Sequence, residues 1–128
     1  MPLVRIAIPT GKDSAFAQML SDAIQDAMIA TIDVPPDDVF QVLTEHQAHM
    51  LRIDPGYLGV SRSSEAIIVE ILMRSGRTDT QKRTLYRTIV ANLEQRGGIR
   101  PQDVMIAIRE NERIDWSFGE GEAQIAPK

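Results

Sequence analysis

Hydrophobic and polar positions along this chain follow two periods, and each period occurs twice. "LVRIAI" (residues 3–8) and "AIIVEILM" (66–73) are short, rich in β-branched residues and bounded by turn residues, the pattern of strands. After the first run, Phe16, Met19, Leu20, Ala23, Ile24, Ala27 and Met28 recur at i, i+3, i+4. Gln18, Asp22, Gln25 and Asp26 fall opposite them, which predicts an amphipathic helix with those four on its polar face. Asp13 or Ser14 serves as its N-cap. After the second run, Leu85, Ile89 and Leu93 repeat the stripe, Thr78 and Gln81 have capping-box spacing, and Gly97-Gly98 stops the helix. "DVFQVLTE" (38–45) and "DVMIAIRE" (103–110) then read as returning strands, each entered through a proline.

The two halves are copies. Shifting the chain by 65 residues lays 2–46 on 67–111 without a gap and makes nine pairs identical, among them Gly11/Gly76, Pro36/Pro101, Asp38/Asp103 and Glu45/Glu110. Lys12 pairs with Arg77. A strand–helix–strand unit of this length requires a right-handed crossover and parallel pairing. Two units predict an α+β fold: a duplicated β-α-β unit forming one four-stranded mixed sheet with two helices on one face. The expected organisation is a single domain over 1–128, with repeats at 2–46 and 67–111 and a C-terminal tail. The other sheet face carries Leu3, Ala7, Ile68 and Leu72, apolar enough to predict oligomerisation. Residues 47–65 lack a long periodic run, so they form either a functional connection or a small hairpin turned by Pro55-Gly56. The tail "RIDWSFGEGEAQIAPK" finds no counterpart in the first half.

Composition narrows the function classes. The net charge of −4 argues against a nucleic-acid surface or a polybasic membrane patch. No stretch approaches the roughly 20 apolar residues of a membrane span. There is no cysteine, which excludes disulfides and thiolate sites and fits a reducing cytoplasm. Two histidines, His46 and His49, are too few for most zinc sites and read as surface residues.

Four positions could carry chemistry. Methionine is removed efficiently before a small residue, so Pro2 would become a secondary amine, able to act as base, acid or Schiff-base nucleophile. The plain structural alternative is a proline opening an edge strand, where its missing N–H costs nothing. Arg74 and Arg77 in "MRSGRT" lie between a strand end and a helix N-terminus, a place for a carboxylate or phosphate; the alternative is two solvated loop arginines. The start of the first strand should lie near the end of the third, so Pro2 and the arginines could meet. Asp38 is matched by Asp103, which argues for a shared turn role beside any catalytic one. Trp116 and Phe118 in "DWSFG" are core or interface anchors unless the tail folds over the strand ends, where they would wall a pocket.

Together these features resemble the tautomerase superfamily, whose members carry a duplicated or dimerised β-α-β unit and an amino-terminal proline among basic residues. Within it, "VPPDDVFQVLTEH", "LGVSRSSEAIIVEI", "GRTDTQKR" and "ENERIDWSFGEGEAQ" are most similar to the malonate semialdehyde decarboxylase group, over nearly the whole chain. The resemblance implies a homotrimer and Pro2 as catalytic amine. It implies that Arg77 and Arg74 bind the substrate carboxylate, that Asp38 assists, and that Trp116 and Phe118 line an apolar wall. The decarboxylase pattern separates its arginines by one residue; here Ser75-Gly76 separate them, which bears on Arg74. The related haloacrylate dehalogenases carry a histidine in the first helix, and residues 16–28 have none. The implied activity is decarboxylation of a small 3-oxo acid with no metal or organic cofactor. A keto–enol tautomerase (phenylpyruvate-type 2-oxo acid) or hydratase using the same site is the alternative. A non-catalytic trimeric ligand-binding module is the alternative of another class.

Overall fold

The alternation that marks residues 3–8 as a strand also decides which side of the sheet is covered. The structure, a computed structural model, describes residues 1–128. Its elements are β1 (Leu3–Pro9), α1 (Ser14–Ile32), β2 (Gln41–His46), β3 (Ile67–Arg74), α2 (Asp79–Gly97) and β4 (Val104–Asn111). Val4, Ile6 and Ile8 of β1 and Ile67, Val69, Ile71 and Met73 of β3 point one way. They meet Leu20, Ile24 and Met28 of α1 and Leu85, Ile89 and Leu93 of α2 in one buried cluster of 17 residues. Each large side chain so buried contributes roughly 1.5–3 kcal/mol of hydrophobic stabilisation.

The strand order is β2-β1-β3-β4, with β1–β2 and β3–β4 parallel and β1–β3 antiparallel. The fold is therefore the expected four-stranded mixed sheet with both helices on one face. Val4 faces Gln41 in one parallel pair and Val69 faces Ile106 in the other, the same register at the 65-residue shift. Helix ends match too. Asp13 caps α1 by accepting from the Phe16 N–H at 2.8 Å, and Thr78 with Gln81 forms the capping box of α2. Asp33 (φ 58°) and Gly98 (φ 63°), which correspond across the repeat, both close their helix in the left-handed region. No helix is long and apolar enough to cross a membrane.

Several expectations need correction. β1 lies inside the sheet and Pro2 is buried, so Pro2 does not open an edge strand. The returning strands begin at Gln41 and Val104 rather than at Asp38 and Asp103. The Asp38 and Asp103 N–H groups instead donate to the carbonyls of Pro35 (3.0 Å) and Arg100 (2.9 Å), closing a turn ahead of each strand. Gln25 is not on a polar face: it is only 7 % exposed, because the chain leaving α1 doubles back over that side of the helix. Residues 47–65 form no hairpin; they hold 3-10 turns at Ala48–Met50 and Tyr57–Gly59. There the Arg62 guanidinium gathers the carbonyls of Asp54, Tyr57 and Val60. Finally, the tail does have a counterpart. Its 3-10 turn at Arg113–Asp115 matches Ala48–Met50 across the shift, and half-buried Trp116 and Phe118 match half-buried Leu51 and Ile53.

Candidate functional site

Strand pairing assembles the site at one end of the sheet. Antiparallel register sets Leu3 opposite Leu72, which brings the start of the chain beside the end of β3 and Arg74. Parallel register sets Val4 beside Gln41, which brings Asp38 alongside from the other flank. After Arg74 the chain turns at Gly76 (φ 121°), a conformation that glycine adopts without a Cβ clash, and delivers Arg77 just before α2.

The amine that begins the chain belongs to Met1, and it contacts the Asp38 carboxylate, with Pro2 buried behind it. Burial first, then the positive charges of Arg77 and Arg74, push this amine from the usual 8.0 down to about 5. The touching Asp38 carboxylate acts the opposite way, since a neighbouring anion favours the ammonium form. Arg77 is anchored by its guanidinium, which donates to the Arg74 carbonyl at 3.2 Å and to the Ile32 carbonyl at the end of α1 at 3.3 Å. Burial and the nearby Arg74 lower the Arg77 pKa, while Asp33 and Glu110 raise it. The Nε of Arg74 is buried without a partner. Arg74 also lines a cavity of about 350 Å³ with Ser75, Glu112 and Arg113. One amine, one carboxylate and two guanidinium groups thus share a half-buried end of the sheet, with the charge to hold an anion beside a proton donor or acceptor.

Trp116 and Phe118 do fold over the strand ends, on the open face of the sheet. Their rings stack with centroids 5.5 Å apart, and Phe118 meets Phe40 at 5.4 Å. With Leu3, Leu72 and Asn111 they bound a cleft of about 380 Å³. The structure therefore sets this wall around Leu3, the residue next to Pro2, rather than on the amine. Asn111 holds the wall in place, its Oδ1 accepting from the Trp116 indole at 2.7 Å. Sequence pattern assigns no functional place to Phe40 or Asn111 and puts Gln25 on a polar helix face. Phe40 and Asn111 matter through contacts made across the fold. Gln25 carried one signal, a polar residue where the second copy has Val90.

The two histidines lie away from this cluster. His46, at the far end of β2, bonds the Thr44 hydroxyl at 2.9 Å, and His49 lies in the turn Ala48–Met50. No group of three or more His, Cys, Asp or Glu side chains converges as metal ligands would. Glu110 pairs with Lys82 at 3.0 Å and Glu45 accepts from Thr10, both consistent with structural roles.

Comparison with known proteins agrees with this geometry. Two family models described as tautomerase enzyme match the chain, one over residues 38–119 and one over residues 2–60. Probable tautomerase YusQ of Bacillus subtilis (strain 168) is 39 % identical over 125 residues, 98 % of each chain. Among solved structures, malonate semialdehyde decarboxylase matches with a TM-score of 0.91 at 32 % identity, over 96 % of this chain and 95 % of that one. Its solved forms include a proline-to-alanine mutant and an inactivated enzyme, and decarboxylase and hydratase activities are ascribed to it. FG41 malonate semialdehyde decarboxylase, inhibited by 3-bromopropiolate, matches with a TM-score of 0.89 at 34 % identity, over 95 % of this chain and 92 % of that one. The duplicated β-α-β fold, the matched residues and the coverage agree: this chain belongs to the tautomerase family.

Proposed function

We propose that the protein decarboxylates a small 3-oxo acid of the malonate semialdehyde type, using the amine of Pro2 after Met1 is removed. The observation that carries this reading is the Asp38 carboxylate on the chain-terminal amine, with two arginines beside it. Asp38 favours the ammonium form that a decarboxylation needs, and Arg77 and Arg74 supply the charge to hold the substrate carboxylate.

The chemistry follows from those charges. Arg77 and Arg74 hold the scissile carboxylate out of the carbonyl plane, so that the breaking C–C bond overlaps the acceptor orbital. Protonated Pro2 hydrogen-bonds the carbonyl oxygen; in the alternative route the neutral amine attacks the carbonyl carbon and loss of water gives a cationic iminium. The electron pair of the breaking bond then flows into that positively polarised group and carbon dioxide leaves. The resulting enol or enamine takes a proton at carbon, and hydrolysis frees Pro2 in the iminium route. Trp116, Phe118 and Phe40 give the adjoining cleft an apolar wall. A homotrimer that covers the open face at Leu3, Ala7, Ile68 and Leu72 completes the assembly.

A second reading, keto–enol tautomerisation of a 2-oxo acid of the phenylpyruvate type, is favoured by the depressed amine. The burial and the two arginines that depress the Met1 amine would act likewise on a Pro2 amine beside them, favouring a neutral amine that serves as a base. The two readings are linked by substrate charge: an anion between Arg77 and Arg74 offsets their repulsion of the ammonium and raises the amine pKa in the complex.

The dependence of kcat/KM on pH separates decarboxylation by hydrogen bonding from the protonated amine from tautomerisation by the neutral amine. If protonated Pro2 is the acid, kcat/KM falls as pH rises through the amine pKa of the free protein; if neutral Pro2 is the base, it falls as pH drops through that value. Intact mass of protein from its native host is expected to lack Met1. Pro2→Ala is expected to lose about 10²–10⁴-fold in kcat with malonate semialdehyde or phenylpyruvate as substrate. Retained Met1, or full activity in Pro2→Ala, would sink the assignment.

A further inference from the structure

We propose that Gln25 is a positioning residue for Asp38: its buried amide holds the Asp38 segment so that the carboxylate meets the chain-terminal amine. The inference rests on the reading of Pro2 as the reacting amine; the amine that touches Asp38 in this structure is that of Met1, the residue before it. Gln25 lies in the middle of α1, 7 % exposed, and its Nε2 donates to the Asp38 main-chain carbonyl at 3.1 Å. Its Oε1 is buried with no partner, a state that disfavours folding unless something else requires the side chain.

The repeat shows that the fold does not require it. The second unit closes the same turn, Asp103 N–H to Arg100 carbonyl where the first has Asp38 N–H to Pro35 carbonyl, with Val90 at the position of Gln25. Gln41 behaves alike: its Nε2 donates to the Ser21 carbonyl, its Oε1 is buried and unpartnered, and its counterpart is Ile106. The polar seam between helix and strand entrance is therefore confined to the unit whose aspartate faces the amine. Of the two, only Gln25 reaches Asp38, and what differs at the aspartates gives it a role. The Asp103 carboxylate is held directly, by the Ser63 N–H at 2.7 Å and hydroxyl at 2.6 Å, with Arg100 at 3.6 Å. The amine is the only hydrogen-bond partner of the Asp38 carboxylate. A carboxylate left free to serve the amine must be aimed through its backbone, and Gln25 grips that backbone.

The test replaces Gln25 by the residue the second unit uses. Gln25→Val and, as control, Gln41→Ile are prepared without Met1, and three quantities are read: thermal midpoint, the NMR pH titration of the Pro2 amine, and kcat with KM. The charged groups facing the chain-terminal amine, that of Met1 in this structure, are Arg77 and Arg74, which lower its pKa, and Asp38, whose neighbouring anion favours the ammonium form. Relaxing Asp38 away therefore moves the midpoint to lower pH. Gln25→Val is expected to keep its thermal midpoint, to shift the amine titration down by about half a unit or more, and to lose about tenfold in kcat with little change in KM. Gln41→Ile is expected to leave titration and kcat alone. If Gln25→Val fails to fold, Gln25→Met, which keeps the length and lacks the donor, carries the same expectations. An unmoved titration in Gln25→Val, or an equal shift in Gln41→Ile, overturns the inference. An active Pro2→Ala sinks the functional reading instead, and the amine titration still decides the contact.

Discussion

At the entrance to β1 an aspartate faces the chain-terminal amine; at the entrance to β3 the matching aspartate faces the chain itself. Asp103 accepts from Ser63, and Lys12, the counterpart of Arg77, is paired with Glu65. The wall residues differ in the same sense. Trp116 and Phe118 bound the cleft beside Leu3, whereas Leu51 and Ile53 bound a cavity of about 290 Å³ with Pro9, His46 and Ala66 at the other end of the sheet. One backbone plan thus carries an open end rich in charge and a closed end whose charges are already satisfied. Chain continuity is the physical cause. Residues 47–66 run from β2 into β3, and their own atoms, Ser63 above all, occupy the place beside Asp103.

The comparison breaks most sharply at the basic pair. Arg77→Ala is expected to lower kcat/KM by about 10²–10³-fold if, as proposed, its charge holds the substrate carboxylate. Lys12→Ala, which breaks an exposed pair with Glu65, is expected to change kcat/KM by less than about twofold. Steady-state kinetics of both variants checks this, and equal losses would erase the distinction between the two ends.

The aspartates should separate in the opposite property. Asp103→Ala removes a buried acceptor and strands the Ser63 N–H, so it is expected to cost about 1–3 kcal/mol of stability, several degrees in Tm, with activity at working temperature largely kept. Asp38→Ala is expected to spare Tm and depress activity. Calorimetry beside a rate assay on the two proteins shows whether the roles divide this way.

The smallest effect concerns the helix ends. Asp33 holds the left-handed conformation that Gly98 holds in the second unit, and a residue with a Cβ is less at ease there. Asp33→Gly is expected to raise stability by less than about 1 kcal/mol, read from the denaturation midpoint. A loss would mean that the Asp33 side chain does more than close α1, for instance through its charge facing Arg77.

Local pattern was sufficient for much of this. Both helix stripes, a first cap at Asp13 or Ser14, the Thr78 cap and the Gly98 stop follow from nearest neighbours on a helix, and the fold class follows from comparing the two halves at a shift of 65 residues. Identity across the repeat fades after residues 46 and 111, so the likeness of the Ala48–Met50 turn to Arg113–Asp115 survives in backbone and burial but not in residue type. Gln25 shows the same limit from another side. Its place in the helical period is polar, and it is buried because the Asp38 segment, which no helical period describes, lies across it. Pro2 and Arg77 stand out in the chain as candidates, but 75 residues separate them. Their shared environment arises from the pairing of β1 with β3 and from the desolvation that follows. Periodicity is a short-range property and selects the elements; which side chains meet, and how strongly they shift one another's charge, depends on long-range packing.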